Sequence, residues 1–276
     1  MAPAQTEPAS VPAVILRTRP LGEADLVVVL LTSHHGKVEA AARNARKSKR
    51  RFAGGLSPGM RGRATLARGR RSSSSSLMRL NGFEPTVLHV DVGRDLTRFA
   101  FVAYVCELTD ELVLGQQPDP TLFAEVCGAL DVILGQSASP PSAAALRRFE
   151  LVLLRELGLL PALRQCAVCG RTARTPAATE VAFDPRLGGV LCAEHGVRAT
   201  RIDATVLAVA ATLCVDEAGA EQTRAALAEI DQRPAGFRRG LRDVTYGVLR
   251  QHLRRPLRSL ALFRQLAIGS PRTTGD

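Results

Sequence analysis

The spacing of apolar residues changes from short runs to a helical period near residue 91. Before that point, five short apolar segments separated by Gly, Pro, Ser and charged clusters predict β-strands. They lie at residues 14–16, 26–31, 38–42, 60–67 and 77–80. Five short strands within about ninety residues are typical of a small barrel of the OB type, which commonly binds nucleic acid.

Beyond that point, apolar residues recur at steps of three and four, which predicts helices. The predicted helices cover residues 96–113, 121–134, 143–157, 204–215, 222–230 and 239–253. We therefore predict an α+β multidomain chain, in which an N-terminal OB-fold β-barrel precedes an all-α helical domain with an inserted zinc-finger module. The predicted segments are 1–88 for the barrel, 89–162 and 200–276 for the helical domain, and 163–199 for the insert.

The fourth predicted strand alternates between basic or polar and apolar positions. A strand here places Arg61, Arg63 and Thr65 on one face, and Ala64 and Leu66 on the other. One face of the barrel is therefore expected to be solvent-exposed and basic.

Charge is distributed unevenly along the chain. The 37 Lys and Arg residues and 26 Asp and Glu residues give a net charge of +11. Residues 1–80 hold 15 of the cations and 4 of the acids, so they carry the whole excess and the remaining 196 residues sum to zero. This asymmetry is typical of a nucleic-acid-binding domain joined to a neutral body. The alternative is a merely solvated basic face.

The densest cationic segment is residues 43–51, with six cations and no acid. Because packed like charges resist burial, we expect a solvated loop that binds phosphates. The predicted DNA-contacting residues are Lys37, Arg43, Arg46, Lys47, Lys49, Arg50, Arg51, Arg61, Arg63, Arg68, Arg70 and Arg71.

Phe52 is the one aromatic residue among residues 1–80. Stacking on bases should therefore be scarce, and single and double strands should be poorly distinguished.

Two knuckles of potential metal ligands occur in the insert. Cys166 and Cys169 form a C-x-x-C pair. After twenty-two intervening residues, Cys192 and His195 form a C-x-x-H pair. Three thiolates and one imidazole would close a tetrahedron around Zn²⁺ and leave no open position, which indicates a structural rather than a catalytic ion. The alternatives are disulfides or unrelated buried thiols, and Cys214 is the reserve ligand if His195 points away.

Enzymatic motifs are weak. The G-x-S-x-G match at residues 55–59 has Pro58 after the Ser, and Pro lacks the N–H that an oxyanion hole needs. No phosphate-binding G-x-x-x-x-G-K-[ST] motif is present. Glu107 and Asp110 favour a solvated helix face, although a metal-dependent nuclease using them is an alternative. The Ser72–Ser76 tract indicates a flexible loop.

The hydropathy of the chain and the composition of residues 1–10 indicate where in the cell the protein is expected. The longest strictly aliphatic run, Leu26–Leu31, is far below the about 18 apolar residues that a membrane span needs. Residues 1–10 lack the basic and apolar regions of a secretory signal. We therefore expect a frayed start and a cytoplasmic protein.

Several segments, in order along the chain, resemble the bacterial RecO family. They are residues 23–27, 30–32 and 36–37 for the first hairpin, 42–51 for the basic segment, 104 with 107–108 in the first helix, 148–150 with 157–158 and 161 before the insert, and 252–253 with 256–259 near the end. Asn44 stands where many relatives have Gly, and Asn also accepts positive φ. His195 replaces a more common Cys, and Leu159-Leu160 replaces a frequent aromatic position.

The resemblance implies a non-enzymatic DNA repair protein. Such a protein binds single- and double-stranded DNA, anneals complementary strands, and helps load RecA onto DNA coated by single-stranded-DNA-binding protein (SSB), together with RecR. The alternative function is that of a zinc-containing OB-fold protein that binds RNA or acts in transcription.

Overall fold

The computed structural model describes residues 9–48, 50–52, 54–68, 77–87, 95–135, 141–173, 178–215 and 220–266. The chain divides into two compact units. One comprises Met1–Pro140 with Leu257–Asp276, and the other comprises Pro141–Pro256. The domain limits at residues 88, 162 and 199 stay predictions.

A closed five-stranded barrel opens the first unit. Its strands are β1 (Ala9–Leu21), β2 (Asp25–Thr32), β3 (Gly36–Ala42), β4 (Arg61–Ala67) and β5 (Met78–Val87). They are hydrogen-bonded in the order β1-β2-β3-β5-β4, with β4 closing onto β1. The β3–β5 pair is parallel and the others are antiparallel. The predicted OB-like barrel is therefore confirmed.

The barrel core follows from alternation along its strands. In β4, Ala64 and Leu66 are buried while Arg63 is exposed, as the pattern predicts. In β3 every second residue is buried, because successive side chains of a strand point to opposite faces. Phe83 of β5 fills the interior together with Phe52, which lies between β3 and β4.

Three helices complete the first unit. They are α1 (Leu96–Leu112), α2 (Pro120–Leu134) and, after the second unit, α7 (Ser259–Gln265). α1 begins at Asp95, whose carboxylate accepts hydrogen bonds from the first free backbone N–H groups. The ring of Phe263 on α7 lies 5.2 Å from that of Phe101 and 5.8 Å from that of Tyr104. The apolar pattern did not predict α7, because seven residues are too few to establish a helical period.

The second unit combines four helices with a small sheet. The helices are α3 (Ala143–Glu156), α4 (Ala204–Leu213), α5 (Ala220–Gln232) and α6 (Ala235–His252), and the sheet has the order β7 (Gly189–Leu191), β6 (Glu180–Asp184), β8 (Thr200–Asp203). The helical region after the barrel is therefore confirmed. α6 begins four residues before its predicted start, because Gly236 and Gly240 weaken the apolar pattern there.

Within the ranges given above, every helix falls short of what a transmembrane segment requires in length or apolar character.

Candidate nucleic-acid interface and metal centre

The basic segment after β3 folds as an ordered turn that begins at Asn44. Asn44 adopts a positive φ of 55° and donates its backbone N–H to the carboxylate of Asp25 over 2.7 Å. Its carbonyl accepts hydrogen bonds from the N–H groups of Lys47 and Ser48 at 3.3 and 3.0 Å. Asn is one of the few non-Gly residues that accept this conformation readily, because its short polar side chain can bond locally. The prediction that Asn44 tolerates positive φ is confirmed.

The far end of the same turn is tied to the barrel. The carbonyl of Arg51 accepts a hydrogen bond of 2.9 Å from the N–H of Phe83 on β5. The next residue, Phe52, is 2% exposed and belongs to the barrel core. The described cations between these two anchors, Arg46, Lys47 and Arg50, are therefore held on a preorganised backbone, which lowers the entropy cost of binding. We call residues 43–51 the basic loop.

Five cations of the basic loop are exposed: Arg43, Arg46, Lys47, Arg50 and Arg51. The guanidinium of Arg51 donates to the carbonyl of Arg43 over 2.8 Å, and that of Arg46 to the carbonyl of Glu23 over 3.4 Å. Carbonyl partners orient a guanidinium without neutralising it. None of the five forms an ion pair with another described residue, so the loop presents a concentrated positive charge to solvent.

An open groove of about 700 Å³ lies against the basic loop. It is lined by Asn44, Ser48, Arg50, Arg51, Gly82, Phe83 and Glu84. The absence of a side chain at Gly82 leaves the backbone of β5 approachable beside the arginines. Glu84 is the one acid in this lining. The sequence pattern did not indicate a role for Gly82 or Glu84, because it does not show which part of β5 faces the basic loop.

Two other predicted DNA-contacting residues have intramolecular partners. Arg61 on β4 forms a two-point ion pair with Asp131 on α2, and its side chain is only 12% exposed. The ammonium of Lys37 lies 3.3 Å from a carboxylate oxygen of Asp110 on α1, and its side chain is 18% exposed. Both cations connect the barrel to a helix of the same unit and have little surface left for a ligand.

The remaining predicted cations are placed differently. Arg63 is exposed on β4 and donates to the carbonyl of Ser10 over 2.7 Å, and Arg68 is exposed just past the end of β4. Lys49, Arg70 and Arg71 lie outside the described residues, as does the Ser72–Ser76 tract.

Aromatic side chains of the barrel are unavailable for stacking. The first 88 residues contain two rings, Phe52 and Phe83. They are 2% and 1% exposed, respectively. A ligand on the barrel can therefore be bound through its charge and polar groups, but not by ring stacking.

The insert brings its two knuckles together. The Sγ atoms of Cys166, Cys169 and Cys192 and a ring nitrogen of His195 all lie within 4.8 Å of one another. The Sγ atoms of Cys169 and Cys192 are 3.8 Å apart, and the Nδ1 atom of His195 lies 3.7 Å from the Sγ of Cys166. A tetrahedral zinc site with bonds of about 2.3 Å to sulfur has edges of about 3.8 Å. The four side chains therefore fit a tetrahedral metal ion.

Each knuckle is closed by the same backbone contact. The N–H of Gly170 donates to the carbonyl of Cys166, and the N–H of Gly196 donates to the carbonyl of Cys192, both over 2.8 Å. Gly170 has a φ of 72°, where a side chain would be strained. A Cβ on Gly196 would lie 2.4 Å from the Cβ of Ala182. The two turns therefore aim both ligand pairs at a single point.

Hydrogen bonds within the cluster of three cysteines and one histidine shift the pKa values of its side chains. Desolvation opposes ionisation of Cys166, but backbone N–H groups, first that of Cys192, lower the pKa of its thiol to about 6. Hydrogen bonds to the sulfur atoms of Cys192 and then Cys166 raise the pKa of His195. Thiolate is the form of Cys that binds metal.

The other three cysteines lie outside the cluster. Cys106 is buried on α1, where its Sγ is 3.7 Å from the carbonyl of Ile15. Cys214 follows α4 and donates to the carbonyl of Ala210 over 3.0 Å. Cys214 is therefore not needed as a reserve ligand. Free thiols throughout also argue against the disulfide alternative.

Comparison with known proteins matches both halves of the chain. The family model described as "Recombination protein O N terminal" matches residues 8–85, and "Recombination protein O C terminal" matches residues 93–261. The "DNA repair protein RecO" of Anaeromyxobacter sp. (strain K) is 40% identical over 248 residues, which cover 88% of this chain and 91% of that protein. The chain belongs to the RecO family.

Other RecO relatives give the same assignment. The "DNA repair protein RecO" of Myxococcus xanthus (strain DK1622) is 34% identical over 93% of this chain and 97% of its own length. That of Symbiobacterium thermophilum is 38% identical over 66% of this chain. Membership of the RecO family supports a role in recombination and DNA repair.

Within this RecO-family fold, the two carboxylates considered for a nuclease have structural tasks. Glu107 accepts hydrogen bonds of 2.8 Å from the backbone N–H groups of Arg258 and Ser259, at the start of α7. Asp110 forms an ion pair of 2.6 Å with Arg17, in addition to its contact with Lys37. These contacts occupy the carboxylates that a metal-dependent nuclease would need.

Proposed function

We propose that this RecO-family chain is a non-enzymatic DNA-binding protein whose basic loop binds the sugar–phosphate backbone of single- and double-stranded DNA. The observation that carries this proposal is the set of five exposed cations on a turn anchored at both ends. Cations without a carboxylate partner release counterions from DNA when they bind its phosphates, and this release supplies most of the affinity of non-specific binding.

The chemistry of the groove favours the backbone over the bases. Arg50 and Arg51 present guanidinium groups that suit phosphate oxygens, while both rings of the barrel are buried. Bases would thus contribute little, so single and double strands should bind through the same contacts. The other exposed predicted cations, Arg63 and Arg68, extend the same electrostatic surface in the proposal. Lys37 and Arg61 contribute to stability instead.

Annealing follows from the same charge. Two complementary strands repel each other through their phosphates, and a concentrated set of cations screens that repulsion. Base pairing itself then supplies the free energy, so no nucleotide hydrolysis is required. We infer that the protein acts as a recombination mediator in the cytoplasm, at the bacterial nucleoid, and helps load RecA onto SSB-coated single strands together with RecR.

The insert serves as a structural module in this proposal. Cys166, Cys169, Cys192 and His195 would hold one Zn²⁺ ion. Its binding would supply folding free energy to an insert in whose described residues β6 and β7 are the only strands. Four protein ligands leave no position for a substrate or a reactive water. The contribution of the metal is therefore stability, which for zinc-finger peptides is on the order of 10 kcal/mol.

Charge reversal tests the DNA-binding proposal. The variant R46E/K47E/R50E should slow annealing of complementary oligonucleotides at least about tenfold at low salt and weaken the salt dependence of the annealing rate. The control R164E/R186E/R201E makes the same charge change on exposed residues of the second unit and should keep the annealing rate. Equal rates for the wild type and the loop variant would overturn the proposal.

Competition identifies the preferred nucleic acid. Single-stranded DNA and RNA of equal length and sequence should compete for the loop, with DNA at least as effective as RNA. A strong preference for RNA would favour the alternative function in RNA binding or transcription.

A further inference from the structure

The neutral sum of the residues after position 80 conceals a local positive charge in the second unit. Residues 235–256, which form α6 and the four residues after it, contain six Arg residues and a single acid, Asp243. Their net charge is therefore +5, by subtraction of one from six. The charge analysis of the sequence missed this segment, because acids elsewhere in the chain balance it.

Part of this charge is aligned on one face of α6. Arg239, Arg242, Tyr246 and Arg250 follow one another at steps of three, four and four residues. Residues at this spacing share a helix face, and the row spans about 16 Å at a rise of about 1.5 Å per residue. The opposite side of α6 is packed, since Leu241, Val244 and Val248 are buried.

The arginines of this row are accessible. Arg239 and Arg250 are exposed, and their side chains make no hydrogen bond or ion pair with any residue that the structure describes. Arg242 is paired with the neighbouring Asp243 at 3.3 Å, and both side chains are about half exposed. An exposed ion pair of this kind contributes little and is readily exchanged for a phosphate.

Tyr246 sets this row apart from the barrel. Its ring is half-buried, lies between Arg242 and Arg250 in the row, and makes no hydrogen bond within the described part of the chain. The barrel has two rings, and both are buried. A partly exposed ring on the same helix face as three arginines can stack on an unpaired base while the arginines bind the flanking phosphates.

We infer that the α6 row, Arg239, Arg242, Tyr246 and Arg250, is a second nucleic-acid contact that takes single-stranded DNA. This inference rests on the proposed function, since it assumes that DNA is the ligand of the chain. It adds a contact in the other unit, with a chemistry that the barrel lacks. A duplex would meet the charges of the row but has no unpaired base to offer to Tyr246, so the row favours single strands.

Photochemical cross-linking tests this inference directly. A thymidine oligonucleotide carrying 5-iododeoxyuridine is irradiated with the full-length protein, and the linked peptides are identified by mass spectrometry. We expect a link to Tyr246 in the wild type, its loss in Y246L, and its retention in Y246F. Circular dichroism establishes that each variant is folded.

Binding measurements give a second readout. R239A/R242A/R250A should reduce the slope of log affinity against log salt by about 2 for single strands, at about 0.7 per phosphate contact. Y246L should weaken binding of single strands at least about fivefold and leave duplex affinity unchanged, whereas Y246F should match the wild type. The control R164A/R186A/R201A should retain the wild-type slope.

The outcomes separate this inference from the proposed function. If the row variants bind single strands normally and links occur only in the barrel, the α6 contact is wrong while DNA binding by the basic loop stands. If neither unit binds DNA, the proposed function itself fails. Binding of acidic peptides by the row without binding of DNA would likewise overturn the inference.

Discussion

Arg61 on β4 and Asp131 on α2 form a two-point ion pair at the junction of barrel and helix. One of its N–H···O distances is 2.8 Å, and the Arg61 side chain is 12% exposed. Burial alone would lower the pKa of Arg61, but the hydrogen bond and charge of Asp131 raise it above its ordinary value. The pair therefore holds a partly buried guanidinium in its charged form.

The variant D131N should destabilise the protein by about 1–2 kcal/mol, because a partly buried guanidinium loses its charged partner. Urea unfolding followed by circular dichroism measures the loss. The affinity for DNA should stay at the wild-type value. A rise in affinity in D131N would mean that Arg61 becomes available to phosphates and would contradict its assignment to stability.

The second prediction concerns the backbone conformation at Asn44. N44V should cost about 1–3 kcal/mol, because a β-branched residue is strained at a φ of 55°. It should also weaken DNA binding, although no cation of the basic loop is removed. N44G accepts the same φ and is the matched control. Unchanged DNA affinity in a folded N44V protein would show that the order of the loop is unimportant.

Sequence patterns predicted the strands of the barrel, because alternating burial leaves a direct trace in β3 and β4. They also predicted the convergence of the two knuckles, since Cys166–Cys169 and Cys192–His195 carry ligand spacing of their own. The partners of Lys37 and Arg61 could not be predicted, because Asp110 and Asp131 are 73 and 70 residues away along the chain. A cation count cannot distinguish a guanidinium that faces solvent from one that meets a distant carboxylate.

Thiol reactivity provides the third prediction. Burial raises the pKa of Cys106 to about 12 and that of Cys214 to about 11, and it also raises the pKa of Cys127. At pH 8 these thiols are almost entirely protonated and should react slowly with Ellman's reagent in the folded protein. Removal of the proposed Zn²⁺ ion with a chelator should leave Cys166, Cys169 and Cys192 as the fast-reacting thiols. A count of six fast thiols in a folded, metal-free protein would contradict the structure.

The fourth prediction concerns the loss of a proposed metal ligand. C192S should bind less than one tenth of the zinc that the wild type binds, as measured by atomic emission. The insert should also unfold at a lower temperature in C192S than in the wild type. Binding of DNA by the basic loop should persist at 25 °C, because the loop belongs to the other compact unit. The variant C127S is the control and should retain full zinc. Full zinc in C192S would remove Cys192 from the ligand set.

The central claim is that the basic loop binds phosphates electrostatically, and the salt dependence of DNA affinity tests it most directly. Fluorescence anisotropy of a labelled single strand gives the slope of log affinity against log salt for the wild type and for R46A/K47A/R50A. Three lost phosphate contacts should reduce the magnitude of the slope by about 2. An unchanged slope in a folded variant would contradict the claim.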